Sequence, residues 1–128
     1  HEIVILDGVA SKTHDGKAFC AAEEDLCRVM ESNDINMIPQ GFITGVAGGL
    51  LNECLMRPIQ GITLLVKAND KGADPLAAAT LLDAVNRAYG LNINTSDLRK
   101  KKKRIGEDFR ELSDKYTEHR KIDSNMYM

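Results

Sequence analysis

The sequence predicts an α/β fold in which buried strands alternate with helices. Two short apolar runs carry this prediction, Glu2–Leu6 and Ile62–Lys67, and polar or chain-breaking residues bound both. Such runs are typical of strands covered on both faces, as in a parallel sheet. The apolar segment that begins at Gly41 has the length of a helix, and Pro58 ends it. The centre of the chain is therefore a glycine-led helix followed by a buried strand.

Composition excludes several classes of protein. A chain of 128 residues is expected to form one domain, and 43% hydrophobic with 28% charged residues is ordinary for a globular protein. No apolar run approaches the roughly 20 residues of a membrane helix, so no membrane partner is expected. The three cysteines show no metal-ligand spacing, which favours a reducing, cytoplasmic compartment over a disulfide framework.

Few strands are predicted in the first third of the sequence. We expect the first strand to end in a turn at Asp7-Gly8, a polar loop over Ala10–Ala18, a short extra strand at Phe19–Ala21 and a helix over Ala22–Ser32. Two main strands cannot form a sheet that is covered on both faces. Further strands are therefore expected from an upstream segment of the same protein or from a partner subunit.

Capping signals define the later helices. Asp74 and Pro75 begin one helix and Gly90 ends it. A final long helix begins at Thr95 or Ser96 and carries a narrow apolar seam. These boundaries divide the chain into an α/β part over residues 1–94, an amphipathic helix over 95–121 and a flexible tail over 122–128.

Four glycines crowd the start of the central helix, namely Gly41, Gly45, Gly48 and Gly49. Each glycine in a helix interior costs about 1 kcal/mol relative to alanine, so something must approach this surface closely. The spacing matches neither a P-loop nor a dinucleotide fingerprint. Close packing against the sheet or another subunit is favoured, and a bound ligand is the alternative.

Six consecutive cations form a basic run near the start of the final helix, namely Arg99, Lys100, Lys101, Lys102, Lys103 and Arg104. Such a run is typical of proteins that bind nucleic acid or another polyanion. However, it encircles the helix and no aromatic residues interleave with it. A solvated face, or a patch that steers an acidic protein, is therefore favoured, and salt-dependent gel shifts would test the polyanion alternative.

The chain ends with Met126, Tyr127 and Met128. A flexible tail that presents an apolar residue, an aromatic ring with a hydroxyl and a free carboxylate is suited to docking in a pocket. The alternative is an unstructured end without a role.

Four segments resemble the second half of the domain of the proteasome assembly chaperone family, which occurs in archaea and related organisms. They are EIVILDG, GFITGVAGGLLNECLMRPI, GITLLVKA and ADPLAAATLLDAVNRAYGLNIN, and their order and spacing also match. The resemblance implies a three-layer α/β/α sandwich similar to nucleoside phosphorylases and peptidyl hydrolases, with a mostly parallel sheet that is incomplete in this chain. It also implies homo-oligomers and no established catalysis, and we expect no cofactor.

The resemblance gives the tail a role. Some archaeal members end in a hydrophobic residue, a tyrosine and any residue, and such tails dock between α-subunits of the core proteasome. Carried over, Tyr127 would enter the pocket, the Met128 carboxylate would pair with a pocket lysine, and Met126 would pack on the wall. The leading hypothesis is thus a non-enzymatic proteasome assembly chaperone or activator.

An enzyme is the alternative hypothesis. A phosphorylase, hydrolase or nucleotide-binding protein would place its site at strand ends, around Asp7, the four glycines and Asp70. No nucleophile–base pair or acid–base pair stands out in the sequence, and we assign no catalytic or metal-binding residue. Binding of nucleosides, phosphate or nucleotides at the glycines would favour this alternative.

Overall fold

The computed structural model describes residues 1–13, 15–38, 43, 45–101 and 110–117 of the chain. Its strands and helices follow in the order β1 (Glu2–Ala10), β2 (Ala18–Ala22), α1 (Glu24–Glu31), β3 (Asn36–Met37), α2 (Gly45–Met56), β4 (Gln60–Ala68) and α3 (Pro75–Tyr89). Residues 96–101 and 110–117 are also helical.

The sheet has the strand order β1-β4-β2-β3 within the described residues. β1 runs parallel to β4 over its whole length, from Glu2 beside Gln60 to Ala10 beside Ala68. β2 runs antiparallel to β4, and β3 runs parallel to β2. The sheet is therefore mixed, with β4 at its centre.

The two faces of β4 contact different helices. Ile62, Leu64 and Val66 share a buried core with residues of α1 and α3. On the other face, α2 approaches so closely that a Cβ added to Gly61 would lie 2.6 Å from the Cβ of Cys54. This explains why β4 is buried along nearly its whole length, as its apolar run predicts.

The predicted boundaries of α3 are confirmed. The Asp74 carboxylate caps the helix by accepting a hydrogen bond from the Ala77 amide, at 3.0 Å. Gly90 ends the helix in the left-handed conformation, with φ of 63°. These signals are local, because each needs only a few neighbouring residues to act.

One strand prediction is wrong, and one strand is missed. β1 does not end in a turn at Asp7-Gly8 but continues to Ala10, because both residues pair with β4, opposite Leu65 and Val66. β3 is not predicted as a strand, since it is only two residues long and is recognised by its pairing with β2. The inference that strands are missing rests on an expected count of two main strands. The described residues form four strands, so that count no longer supports the inference.

Other predictions stay predictions. The three-layer sandwich, the mostly parallel sheet and the division at residues 94 and 121 are not decided by the described residues. The same holds for the long final helix, since residues 102–109 lie outside them.

A buried hydroxyl in β4 gives a first testable prediction. Thr63 is fully buried, and its Oγ1 has no hydrogen-bond partner in the described part of the chain. An unsatisfied buried hydroxyl costs about 1–3 kcal/mol, and valine has nearly the same shape. We therefore expect Thr63→Val to raise the free energy of unfolding, measured in urea, by about 1 kcal/mol.

Thr80 supplies the matched control. It is also buried, but its hydroxyl donates to the Leu76 carbonyl at 2.9 Å. Thr80→Val is expected to lower the free energy of unfolding by about 0.5–1.5 kcal/mol, because a satisfied hydrogen bond is lost. Equal losses from both substitutions would show that the Thr63 hydroxyl has a partner after all.

Candidate interaction surfaces

The outer edge of β1 is an open strand edge. Among the described residues, β1 pairs with β4 alone, and its register runs over nine residues without a bulge. Edge strands are usually short, bulged or protected by lysine or proline, and β1 has none of these features. Apolar side chains along it are exposed, including Ile3, Leu6 and Val9. This edge is therefore suited to pairing with a further strand.

The outer face of α2 is a second apolar surface. Val46 is 80% exposed and Met56 is 77% exposed, and Leu50 and Leu55 are also exposed. A helix with apolar side chains on most of its sides is typical of burial on most sides. Sequence reasoning missed these exposed side chains, although the apolar run of GVAGGLLNECLM, interrupted only by Asn52 and Glu53, is the signal that identifies them.

A shallow groove lies beside α2. Its volume is about 260 Å³, and it is lined by Ala21, Ala22, Glu23, Met37, Ile38, Leu51 and Leu55. The lining combines the end of β2, the short strand β3 and one side of α2. Apart from Glu23 its side chains are apolar, so the groove favours an apolar side chain over a charged ligand.

The described glycines of the cluster differ from one another. Gly45 begins α2 with φ of 68°, in the left-handed region that favours glycine. A Cβ at Gly48 would collide with the backbone carbonyl oxygen of Ile43, so the preceding loop makes the close approach there. A Cβ at Gly49 would meet no described atom within 4 Å. Gly41 lies outside the described residues.

The described part of the basic run is exposed. Arg99 forms an ion pair with Asp83 of α3, and Thr95 donates a hydrogen bond to the same carboxylate at 2.9 Å. This fastens the start of the last helical segment to α3. Lys100 and Lys101 are exposed beside it. The remaining cations, Lys102, Lys103 and Arg104, lie outside the described residues, as does the tail Met126, Tyr127 and Met128.

The residues suggested for an enzyme site do not occupy strand ends together. Asp7 lies inside β1, and its carboxylate accepts a hydrogen bond from the Gly8 amide at 2.9 Å. Asp70 is exposed in the turn after β4. In the described ranges, no three His, Cys, Asp or Glu side chains converge on a position where they would hold a metal ion. None of the described helices combines the length and apolarity needed to cross a membrane.

Comparison with known proteins identifies the family. Over residues 1–113 the sequence matches the model of the PAC2 family. The chain belongs to the PAC2 family. A mixed four-stranded sheet with flanking helices, as described above, is consistent with the PAC2 fold.

Solved structures and one curated relative resemble this PAC2 chain. PbaA of Pyrococcus furiosus, an archaeal homolog of proteasome-assembly chaperone, is 25% identical with a TM-score of 0.85, covering 98% of this chain and 54% of PbaA. PbaB of the same organism, an archaeal proteasome activator, is 28% identical with a TM-score of 0.75. The match covers 88% of this chain and 50% of PbaB. An uncharacterised protein of Methanocaldococcus jannaschii is 26% identical over 113 residues, which are 88% of this chain and 47% of that protein. The chain thus spans about half the length of these proteins.

Proposed function

We propose that this PAC2 chain acts in a proteasome assembly chaperone or activator that binds the α-ring of the core proteasome through its C-terminal tail. The observation that carries the proposal is the fold it shares with PbaA and PbaB, at 25% and 28% identity. In this proposal Met126, Tyr127 and Met128 would supply the docking chemistry, namely a ring with a hydroxyl and, with Met128 as the last residue of the protein, a carboxylate. The role is non-enzymatic and cytoplasmic.

Assembly with further polypeptide is the second part of the proposal. The open edge of β1 and the apolar face of α2 support a homo-oligomer in which additional strands complete an α/β/α sandwich. Those strands would come from polypeptide equivalent to the half of PbaA and PbaB that this chain does not match. Several tails on one oligomer would bind one α-ring together and raise the overall affinity.

Removal of the tail tests the proposal. Deletion of Met126–Met128 is expected to abolish binding to an archaeal core proteasome in surface plasmon resonance, because the ring is lost and the terminal carboxylate moves to Asn125, away from its docking position. Tyr127→Ala is expected to weaken binding by about tenfold or more, as for an aromatic anchor in a pocket. Tyr116→Ala, which removes an exposed tyrosine outside the tail, is the matched control and should bind normally.

A further variant isolates the carboxylate. One glycine added after Met128 keeps the ring but moves the terminal charge, and it is expected to weaken binding as well. Full binding by the deletion variant would contradict docking through the tail. Binding that is lost in Tyr116→Ala but kept in Tyr127→Ala would place the contact on the helical segment instead.

A further inference from the structure

Two buried thiols contact each other across two elements. Cys20 lies in β2 and Cys27 lies in α1, and their Sγ atoms are 3.9 Å apart. Both thiols are free and both belong to the main core cluster. Cys54, the third cysteine, is also buried but packs on Gly61 on the other face of the sheet.

The chain between the two cysteines is short and makes a reversal. β2 ends at Ala22, Glu23 precedes the helix, and Cys27 lies in the second turn of α1. A disulfide needs the sulfur atoms at about 2.05 Å, so they must close by about 2 Å from their present separation. Because the thiols already face each other in the core, rotation of the two side chains with a small shift of α1 would bring them together.

We propose that Cys20 and Cys27 form a reversible disulfide when the protein meets a two-electron thiol oxidant such as hydrogen peroxide. The two thiols lose two protons and two electrons as the sulfur–sulfur bond forms, and the peroxide is reduced to two molecules of water. A dithiol reductant restores both thiols by exchange. The bond would fasten α1 to β2.

The folded state protects the pair from rapid oxidation. Burial and the neighbouring Cys27 thiol raise the pKa of Cys20 to about 12, so little of the reactive thiolate exists near neutral pH. Both thiols are also buried, so we expect oxidation to follow a local opening of α1. That helix has eight residues and no side-chain cap at its start, and helices so short depend on packing for their stability.

The disulfide would also change one wall of the groove beside α2. Ala21, Ala22 and Glu23 lie between the two cysteines and line this groove. A covalent link between Cys20 and Cys27 closes the loop that contains them, so it would limit how that wall moves. The inference does not depend on the proposed proteasome role.

Peptide mapping tests the bond directly. Cys20 and Cys27 fall in one tryptic peptide, residues 18–28, which has no internal lysine or arginine. After peroxide treatment and alkylation, this peptide is expected to carry no alkyl groups and to be lighter by about 2 Da than its reduced form, the mass of two hydrogen atoms. Cleavage after Glu23 should give two peptides that stay joined until reduced. The peptide that begins at Val29 contains Cys54 alone and is the internal control.

Serine variants separate the pair from the third thiol. Cys54→Ser should keep the disulfide, whereas Cys20→Ser and Cys27→Ser should each abolish it. The oxidised protein should also unfold at a higher urea concentration than the reduced one, and dithiothreitol should reverse this shift. Alkylation of both cysteines in peptide 18–28 after Cys54 has been oxidised would overturn the proposal, and so would conversion of either to sulfinic acid without a disulfide.

Discussion

Leu64→Ala is expected to lower the free energy of unfolding by about 2–5 kcal/mol. Leu64 is fully buried at the centre of β4, where it lies opposite Leu6 of β1 and Cys20 of β2. Its side chain belongs to the cluster that joins the sheet to α1 and α3. Removing it leaves a cavity that strands paired on both sides cannot readily collapse to fill.

This loss is large in relation to the whole stability of the fold. Single domains are stable by about 5–15 kcal/mol, so the loss expected for Leu64→Ala is a large share of the total. Urea unfolding followed by circular dichroism would measure the change in midpoint at constant slope. Met56→Ala, at a side chain that is 77% exposed on α2, is the control and should change stability by less than about 0.5 kcal/mol at protein concentrations too low for the proposed oligomer to form.

A small effect of Leu64→Ala would contradict the assignment of the core. It would mean that α1 and α3 can move onto the sheet and fill the space. A large effect of Met56→Ala would carry a different meaning, since it would show that the exposed face of α2 is covered in solution.

The elements that sequence predicts well are those whose signals are local. Asp74 caps α3 through the amide of Ala77, three residues away, and Gly90 ends the same helix through its own backbone conformation. The buried run of β4 is likewise contained in consecutive residues. In each case the residues that decide the structure are near neighbours in the chain.

The elements that sequence misses depend on distant pairing. Asp7-Gly8 has the composition of a turn, yet it continues β1 because β4 offers hydrogen bonds to the whole strand. β3 exists only beside β2. The contact between Cys20 and Cys27 is similar, since a spacing of seven residues does not show that a strand and a helix will fold back on each other.

The candidate interaction surfaces also combine features that are local in the sequence with features that depend on distant pairing. Glycine enrichment at the start of α2 is visible in the sequence, but which glycine meets a neighbour depends on where the loop at Ile43 passes. The open edge of β1 depends on the strand order, which cannot be read from the sequence. Family resemblance supplied the proteasome hypothesis. The PAC2 match and the similarity to PbaA and PbaB support a chaperone-like role, and docking through the tail stays a proposal.

Adjacent glycines in α2 are expected to respond in opposite directions to the same substitution. Gly48→Ala places a Cβ against the Ile43 carbonyl oxygen, and a backbone atom cannot rotate away as a side chain can. We expect a loss of about 1–3 kcal/mol in the free energy of unfolding, as for overpacking in a tight site. Gly49→Ala meets open space, so it should gain about 0.5–1 kcal/mol from the higher helix propensity of alanine.

The pair also distinguishes local packing from subunit packing. Both substitutions remove one glycine from the same helix, so their difference in urea unfolding isolates the contact at Gly48. If another subunit approaches α2 at Gly49, Gly49→Ala should instead destabilise the protein, and its effect should grow with protein concentration as the oligomer forms. A stabilising effect that is independent of concentration would place any subunit contact elsewhere, at the edge of β1 or on Val46 and Met56. If both variants lower the free energy of unfolding equally at every concentration, the close approach of Ile43 is not the reason for glycine at position 48.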